Sequence, residues 1–362
     1  MKKCITALLL LFTLSVTSLL ACTSADKPES ATGKTSKTSK SINDKKTDLT
    51  PVTLNEVAHS IFYAPMYVAM EKNYFEKEGI DLSLVTGFGA DKTMTAVLSG
   101  TADIGFMGSE ASIYTYNEGA RDYVVNFAQL TQRAGNFLVA REDIKNFKWE
   151  DLKGRKVIGG RKGGMPEMVF EYILKQNHID PASDLTIDQN IDFGSTAAAF
   201  AEEKADYDFT VEFEPGATNL EKQEKGYVVA SLGTDSGYVP YTAFSAKKSY
   251  ISQHPEIIQG FTNALQKGMN YVASHTPEEI AQVIAPQFKE TTPDTITTIV
   301  SRYYEQDTWK KDLIFRQESF DLLQDILEDA GELKKRAPYK NLVTTIYAEK
   351  SAKAVKDTTI SH

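Results

Sequence analysis

Cysteine and basic charge are both scarce in the main part of this sequence. Cys4 and Cys22 are the only cysteines among the 362 residues, so residues 23–362 can form no disulfide, thiolate nucleophile or cysteine-based metal cage. Residues 51–362 carry 32 basic and 45 acidic side chains, a net charge of −13. This balance is the opposite of the basic footprint of a nucleic-acid-binding protein, and we expect no nucleic-acid partner.

Motifs of cofactor and catalytic chemistry are also lacking. The histidines show no ligand spacing such as His-Glu-x-x-His, which argues against a zinc site. The glycine-rich segment Gly159–Gly164 is not followed by the Gly-Lys-Ser/Thr of a phosphate loop. The sequence shows no assembled set of nucleophile and base, although folding can still bring a triad together from distant residues. We therefore expect that the protein binds no cofactor and no metal ion and that it is not an enzyme.

The N-terminus has the pattern of an export signal. Lys2 and Lys3 precede an apolar run, Ile5–Ala21, whose 17 residues are short for a membrane span but typical of a signal-peptide core. The run ends Leu-Leu-Ala-Cys at Cys22, which resembles the lipobox of bacterial lipoproteins, where cleavage before the cysteine is followed by its lipidation. This predicts a signal peptide over 1–21 and a lipid anchor on Cys22. An ordinary signal peptide with an incidental cysteine is the alternative.

The next segment has the composition of a flexible tether. Residues 23–50 contain five Ser, six Thr and six Lys, and their aliphatic side chains are few. Such a segment cannot bury enough apolar surface to offset its ordering entropy. Its six lysines against four acids suit a position near anionic lipid headgroups. We predict a lipidated Cys22 and tether over 22–50, with the protein on the extracytoplasmic face of the cell membrane.

From Pro51 onward short strands alternate with helices. The first such units are a strand over Val52–Ala58, a helix that opens at Ala64-Pro65 and runs toward Gly79, and a strand beginning at Ile80. Strands that alternate with helices in this way predict a parallel sheet with its ligand crevice beyond the carboxyl ends of the strands.

A second series of the same elements follows, and the matching order indicates two lobes of related construction. Past Tyr238 the sequence predicts almost only helices, among them Pro255–Ser274 and Pro293–Glu305. We place the crossings between lobes near Leu138–Arg141 and Tyr241–Phe244, the two-linker arrangement that allows hinge closure. The predicted domains are lobe 1 over 51–140 plus 242–350, with the C-terminal helices, and lobe 2 over 141–241.

Several motifs resemble one family. Ala64–Ala69 with Tyr74–Ile80 looks like its first helix, Leu98–Gly105 (LSGTADIG) like its Gly-x-Ala-Asp-x-Gly signature, and Glu214-Pro215 like its Glu-Pro pair. Residues 51 to about 335 thus resemble the SsuA/THI5-like solute-binding proteins of ABC importers, which serve nitrate, sulfonate, taurine and the thiamine pyrimidine precursor. The resemblance implies an α/β, two-lobed, type 2 periplasmic-binding-protein fold with a helical C-terminal region. It also implies a small-molecule solute, an ABC permease and its ATPase as partners of a monomer.

The ligand-binding residues are expected in the loops that follow strand ends, because these loops converge on the cleft. The candidates are Ser60, Phe62, Tyr63, Gly87, Phe88, Gly89, Gly108, Ser109 and Glu110 in the first lobe, Gly163, Gly164, Met165, Phe193, Gly194, Ser195, Glu212 and Glu214 in the second, and Tyr238 and Tyr241 near the return crossing. Each has a plainer interpretation: a glycine can serve only a turn, Phe62 can be core, and Glu214 can cap the helix that begins at Pro215.

Two kinds of ligand fit these residues. Glycines and hydroxyls ahead of helices, with Arg161 and Lys162 close by, suit an anion such as a sulfonate. Glu110, Glu212 and Glu214 would instead repel an anion and accept hydrogen bonds from a flat nitrogen-containing ligand stacked on an aromatic ring. We favour a neutral or weakly cationic heteroaromatic, similar to the thiamine pyrimidine precursor. The alternatives are an anion-binding protein, a tethered sensor or co-receptor, and a pyrimidine-synthase-like enzyme, whose cysteine-rich motif has no counterpart here.

Overall fold

The computed structural model describes residues 49–192 and 194–358, with side chains up to Val355. Its strands are β1 (Thr50–Glu56), β2 (Ile80–Thr86), β3 (Ile104–Gly108), β4 (Val124–Gln129), β5 (Asn136–Ala140), β6 (Lys156–Ile158), β7 (Thr186–Asp188), β8 (Phe209–Phe213), β9 (Tyr227–Ser231) and β10 (Thr242–Lys247). The predicted signal peptide, Cys22 and almost all of the tether lie outside these residues and stay predictions.

Helices cover both sheets and make up nearly all of the C-terminal region. They are α1 (Ala64–Glu71), α2 (Tyr74–Lys77), α3 (Ala90–Ser99), α4 (Glu110–Asn117), α5 (Met165–Gln176), α6 (Thr196–Ala201), α7 (Gly216–Lys222), α8 (Leu232–Asp235), α9 (Lys248–Gln253), α10 (Pro255–Ser274), α11 (Pro277–Ile284), α12 (Pro293–Glu305), α13 (Gln317–Asp329), α14 (Tyr339–Leu342) and α15 (Ile346–Thr358). In the described part of the chain, none of them is both long and apolar enough to cross a membrane.

The two sheets have the same topology. The first has the order β2-β1-β3-β10-β4 and the second the order β7-β6-β8-β5-β9. In each, the first three strands in that order are parallel and the fourth is antiparallel to both of its neighbours. The prediction of two lobes of related construction is confirmed, whereas the prediction of purely parallel sheets is wrong.

The antiparallel strands are explained by how the chain crosses between the lobes. Only residues 130–135 separate β4 from β5, and a parallel connection needs a dozen or more residues to return to the amino end of a sheet. β5 therefore begins at the cleft and runs away from it, and β10 does the same on the return.

The crossings lie elsewhere than the sequence suggested. Leu138–Arg141 was expected at the first crossing, but Leu138 belongs to β5, which pairs with β8 and β9 in the second sheet. Tyr241–Phe244 was expected at the second, but Phe244 is in β10, between β3 and β4. The region past Tyr238 thus contributes a central strand to the first sheet and is not wholly helical.

Apolar residues at helical spacing pack the C-terminal helices onto the first sheet. Phe261 on α10 contacts Phe244 of β10, and Phe244 stacks on Phe106 of β3 with 4.0 Å between ring centroids. All three side chains are fully buried, and each large apolar side chain buried in this way contributes about 1.5–3 kcal/mol. α10 also contacts α1, where Gly268 allows the backbones to approach: a Cβ at this position would lie 2.1 Å from the Pro65 carbonyl oxygen.

Most of the predicted helices are present, and their ends lie at residues that cap a helix. Thr276 caps α11 by accepting a hydrogen bond from the Glu279 N–H, and the Glu279 carboxylate accepts one from the Thr276 N–H. Such a reciprocal box satisfies two free donors of the helix terminus. The helix expected from Ala64 toward Gly79 is instead two helices, α1 and α2, because Asn73 between them adopts a left-handed conformation.

Candidate functional site

A cleft lies between the carboxyl ends of the parallel strands of the two sheets. It contains two adjoining cavities, an outer chamber of about 250 Å³ and an inner chamber of about 40 Å³. Arg161, Pro166 and Phe213 line both chambers. Their combined volume lies near the lower end of the roughly 300–1,000 Å³ range of small-molecule sites, which indicates a small ligand.

Twelve of the candidate ligand residues line one of the chambers, and their role in binding stays a prediction. They are Ser60, Phe88, Gly194, Glu212 and Glu214 in the outer chamber and Tyr63, Gly89, Gly108, Glu110, Gly164, Met165 and Tyr241 in the inner one.

Six other candidates line neither chamber, and Phe193 lies outside the described residues. The six are Phe62, Gly87, Ser109, Gly163, Ser195 and Tyr238. Phe62 is fully buried among Tyr63, Phe213, Tyr241 and Tyr303, so it is a core residue. The exposed Tyr238 is held away from the cleft, since its ring lies under the Arg133 guanidinium and its hydroxyl donates to Asp307.

Glu212 is a buried carboxylate in the wall of the outer chamber. Its Oε1 accepts a hydrogen bond from Thr210 Oγ1 at 2.6 Å, and its Oε2 accepts one from Thr196 Oγ1 at 2.9 Å. Burial raises the pKa of Glu212 from 4.5 to about 7, although the two hydroxyls oppose this rise and the charge of Glu214 adds to it. The group therefore presents a proton acceptor whose charge changes near neutral pH.

Glu110 occupies the corresponding position in the inner chamber. It is 2 % exposed, and its Oε2 has no hydrogen-bond partner among the described residues. Burial raises the pKa of Glu110 to about 7, while the backbone N–H groups of Glu110 and Met165 and the charge of Arg161 act in the opposite direction. Because Glu110 begins α4 and Met165 begins α5, this carboxylate lies at helix N-termini from both lobes, where negative charge is favoured.

The carboxylate of Glu214, in contrast, is already engaged in hydrogen bonds and an ion pair within the protein. It accepts hydrogen bonds from the backbone N–H and the hydroxyl of Thr218, at 2.8 and 2.9 Å, and forms an ion pair with Arg302 at 2.7 Å. Glu214 therefore caps α7 and ties it to α12. These contacts favour the plainer interpretation that Glu214 serves the helix beginning near Pro215, and a role of its side chain in ligand binding stays a prediction.

Direct contacts join the lobes across the cleft. Ser60 Oγ donates to the Glu214 carbonyl oxygen at 2.7 Å. On the rim, the exposed guanidinium of Arg161 lies 3.5 Å from Asp91 Oδ1, and the Tyr114 hydroxyl donates to the Gly163 carbonyl oxygen at 3.1 Å. At these three points the lobes meet through polar contacts.

A buried polar network supports the first-lobe wall. Glu56 is fully buried and accepts hydrogen bonds from the Tyr67 and Thr86 hydroxyls, and it pairs with His59 Nδ1 at 2.8 Å. The other ring nitrogen of His59 lies 2.9 Å from the Gln287 carbonyl oxygen. Burial lowers the pKa of His59, but the bonds to Glu56 and Gln287 outweigh it and raise the pKa above 6.5. This arrangement holds the imidazole ring in the outer chamber.

Sequence reasoning missed several residues that line the chambers. Asn136 and Thr196 contribute polar groups to the outer chamber, and Phe213 contributes an aromatic ring to both chambers. The Asn136 amide oxygen accepts a hydrogen bond from the Tyr241 hydroxyl. Asn136 is the first residue of β5, and this strand was assigned to the wrong lobe, so its position at the cleft was not foreseen.

This region also has a charged groove, and it has no group of side chains suited to a metal ion among the described residues. A groove of about 880 Å³ runs along α3 and α4 next to the cleft, and Glu110 and Arg161 line it as well as the inner chamber. Its charged lining also includes Asp91, Glu118, Lys162 and Glu332. In the described part of the chain, no three His, Cys, Asp or Glu side chains are grouped closely enough to hold a metal ion.

Comparison with known proteins identifies the family. The sequence profile of the NMT1/THI5-like family matches residues 61–280. YtlA of Bacillus subtilis (strain 168), whose name describes it as a binding protein, is 47% identical over 302 residues, which cover 83% of this chain and 90% of YtlA.

Solved structures with the same fold have much lower sequence identity. The alkanesulfonate-binding protein SsuA from Xanthomonas axonopodis pv. citri, bound to MOPS, matches with a TM-score of 0.66 and 14% identity over 82% of this chain and 98% of SsuA. The periplasmic nitrate-binding protein NrtA from Synechocystis PCC 6803 matches with a TM-score of 0.68 and 15% identity over 85% of this chain and 89% of NrtA. The chain belongs to the NMT1/THI5-like family and has the two-lobed fold of the type 2 periplasmic binding proteins.

Proposed function

We propose that this protein is the extracytoplasmic solute-binding component of an ABC importer, anchored to the cell membrane through Cys22. Family membership, the two-lobed fold and a cleft with a small chambered cavity support this role. The cargo binds between the lobes and passes unchanged to a permease that is driven by a cytoplasmic ATPase. Since no bond of the cargo is made or broken, the protein is not an enzyme.

The proposed cargo is a small, neutral or weakly cationic nitrogen heteroaromatic, such as an aminopyrimidine. The observation that carries this proposal is that the chain's own carboxylates already occupy three of the helix N-termini at the cleft, those of α4, α5 and α7. Glu110 lies at the start of α4 and near the start of α5, and Glu214 caps α7. These are the positions at which a binding protein would otherwise hold an anion.

The energies of charge repulsion and hydrogen bonding favour the same ligand class. Two unit charges 4 Å apart interact by about 4 kcal/mol at an effective dielectric constant of 20. An anion beside ionised Glu110 or Glu212 would meet a repulsion of this order, whereas an N–H donor would supply the hydrogen bond that Glu110 Oε2 lacks. The exposed Phe88 at the cleft lip, 56 % accessible, offers an aromatic surface for a flat ring.

An anionic cargo is the second candidate, and Arg161 is the observation in its favour. This side chain lines both chambers, and two proteins of similar structure, SsuA and NrtA, are an alkanesulfonate-binding and a nitrate-binding protein. Arg161 is exposed, however, and its charge is shared with Asp91 at 3.5 Å. A single solvated cation therefore faces two buried carboxylates.

Ligand capture is proposed to proceed by closure of the lobes. A cargo that contacts both lobes binds the closed form more tightly than the open form and shifts the population toward closure, whereas equal affinity for both would shift nothing. The hydrogen bond from Ser60 to the Glu214 carbonyl is one of the contacts that closure makes.

Isothermal titration calorimetry on the mature chain tests the proposal with 4-aminopyrimidine, riboflavin, nitrate, taurine and an alkylsulfonate. We expect binding of a heteroaromatic with contraction in small-angle scattering and no change in the compound. Tight binding of a sulfonate without any heteroaromatic would assign the protein to the second candidate function. For the anchor, Cys22→Ser is expected to move the protein from the membrane fraction to the soluble one.

A further inference from the structure

The inner chamber is too small for an entire cargo molecule. Its volume is about 40 Å³, far below the roughly 300–1,000 Å³ of small-molecule sites. It adjoins the much larger outer chamber through the shared wall of Arg161, Pro166 and Phe213. A ligand in the outer chamber can therefore extend one small substituent into the inner one.

Some polar groups around the inner chamber are paired within the protein, and one buried acceptor is not. Tyr241 donates its hydroxyl proton to Asn136, and the Thr242 hydroxyl is paired with that of Thr131. Glu110 Oε2 is buried and has no partner among the described residues. A buried acceptor without a partner costs about 1–3 kcal/mol, so the site is built to receive a hydrogen-bond donor.

The other walls of the chamber favour a donor that is also cationic or polarised. The rings of Tyr63, Phe213 and Tyr241 line it together with Glu110. Aromatic rings attract an ammonium group within about 6 Å of their faces, and they exclude the water that would otherwise compete for the carboxylate. Arg161 also lines the chamber, but its guanidinium is exposed on the rim beside Asp91.

We propose that the inner chamber is a subsite for one primary amino group of the cargo, with Glu110 Oε2 as the acceptor of its N–H and the rings of Tyr63, Phe213 and Tyr241 as its walls. This inference rests on the proposed function and adds a rule of specificity to it. A primary amino group supplies the N–H that Glu110 Oε2 can accept, whereas a dimethylamino group is bulkier and lacks the N–H donor.

The rule is tested by calorimetry with 4-aminopyrimidine, 4-(dimethylamino)pyrimidine and pyrimidine on the wild-type chain and on Glu110→Gln. We expect the wild type to bind 4-aminopyrimidine about 10- to 100-fold more tightly than either analogue, the range for a hydrogen bond to a charged group. Glu110→Gln is expected to lose most of this preference. Glu118→Gln, at the exposed end of the same helix, is the matched control for charge and should retain it.

The outcomes separate this inference from the proposed function. Equal wild-type affinity for the three pyrimidines would overturn the amino subsite and leave the heteroaromatic cargo standing. If no pyrimidine binds, n-propylamine and N,N-dimethylpropylamine provide the same comparison, and a failure of the primary amine to bind more tightly would overturn the subsite. In a crystal structure of the complex, an amino nitrogen within about 3 Å of Glu110 Oε2 is expected, and a water retained there would overturn the assignment.

Discussion

The stability of the cargo-free protein should reveal the cost of the buried carboxylate at residue 110. Glu110 has a pKa of about 7 in the folded chain and 4.5 as its reference value. The folded chain thus keeps a proton that the unfolded chain loses between pH 4.5 and 7. The stability associated with this group is fully present below pH 4.5 and is lost as pH rises through 7.

The substitution Glu110→Gln keeps the shape of the side chain and removes its charge. The two pKa values correspond to a penalty for ionised Glu110 of about 3 kcal/mol at pH 8 and about 1 kcal/mol at pH 5. We therefore expect the variant to be more stable than the wild type at pH 8, with a rise in Tm of roughly 5–10 °C, and only slightly more stable at pH 5.

Thermal melts followed by circular dichroism at pH 5 and pH 8 measure this difference directly. Glu118→Gln is the control, because this residue is exposed and its replacement should leave the pH dependence unchanged. A stability gain of equal size at both pH values, or a loss at pH 8, would refute the reasoning from burial. A gain at pH 8 combined with weaker cargo binding would show that the site is kept at the expense of stability.

Three further substitutions test contacts of the cleft and the core. Ser60→Ala removes the hydrogen bond to the Glu214 carbonyl and should weaken cargo binding about 5-fold, about 1 kcal/mol, in calorimetry; unchanged affinity would show that this bond does not contribute to closure. Arg302→Met leaves the Glu214 carboxylate buried without its cation and should lower stability to urea by about 3 kcal/mol, whereas Arg336→Met, on the surface, should leave the urea midpoint unchanged. Gly268→Ala should cost about 1–3 kcal/mol in the same assay, despite the better helix propensity of alanine, because its Cβ meets a backbone oxygen of α1 at 2.1 Å; a more stable variant would contradict this packing.

Local sequence signals predict the elements whose determinants are themselves local. The helices α10 and α12 have the predicted bounds, since each begins at a proline and carries apolar residues at helical spacing. β10 was missed because its residues, TAFSAK, neither alternate clearly nor follow a turn typical of a strand, and their strand conformation depends on pairing with β3 and β4. Such pairing joins residues more than a hundred positions apart, which no local pattern records.

The same contrast between local signals and distant contacts applies to the candidate site. The position of loops after strand ends follows from sheet topology, which predicts Glu110 and Glu212 in loops at the cleft. What each side chain does there depends on distant partners. Glu214 is engaged by Arg302 from α12, and Tyr238 by Arg133 and Asp307, so neither engagement could be foreseen from spacing.

The place of β10 in the first sheet has a consequence for biosynthesis. It separates β3 from β4 but is translated only after all five strands of the second sheet. On the ribosome, the sheet of the later-encoded lobe can therefore be complete while the sheet of the earlier lobe still lacks the strand between β3 and β4. A nascent chain released before Thr242 exposes unpaired edges of two hydrophobic strands, the feature that most readily leads to aggregation.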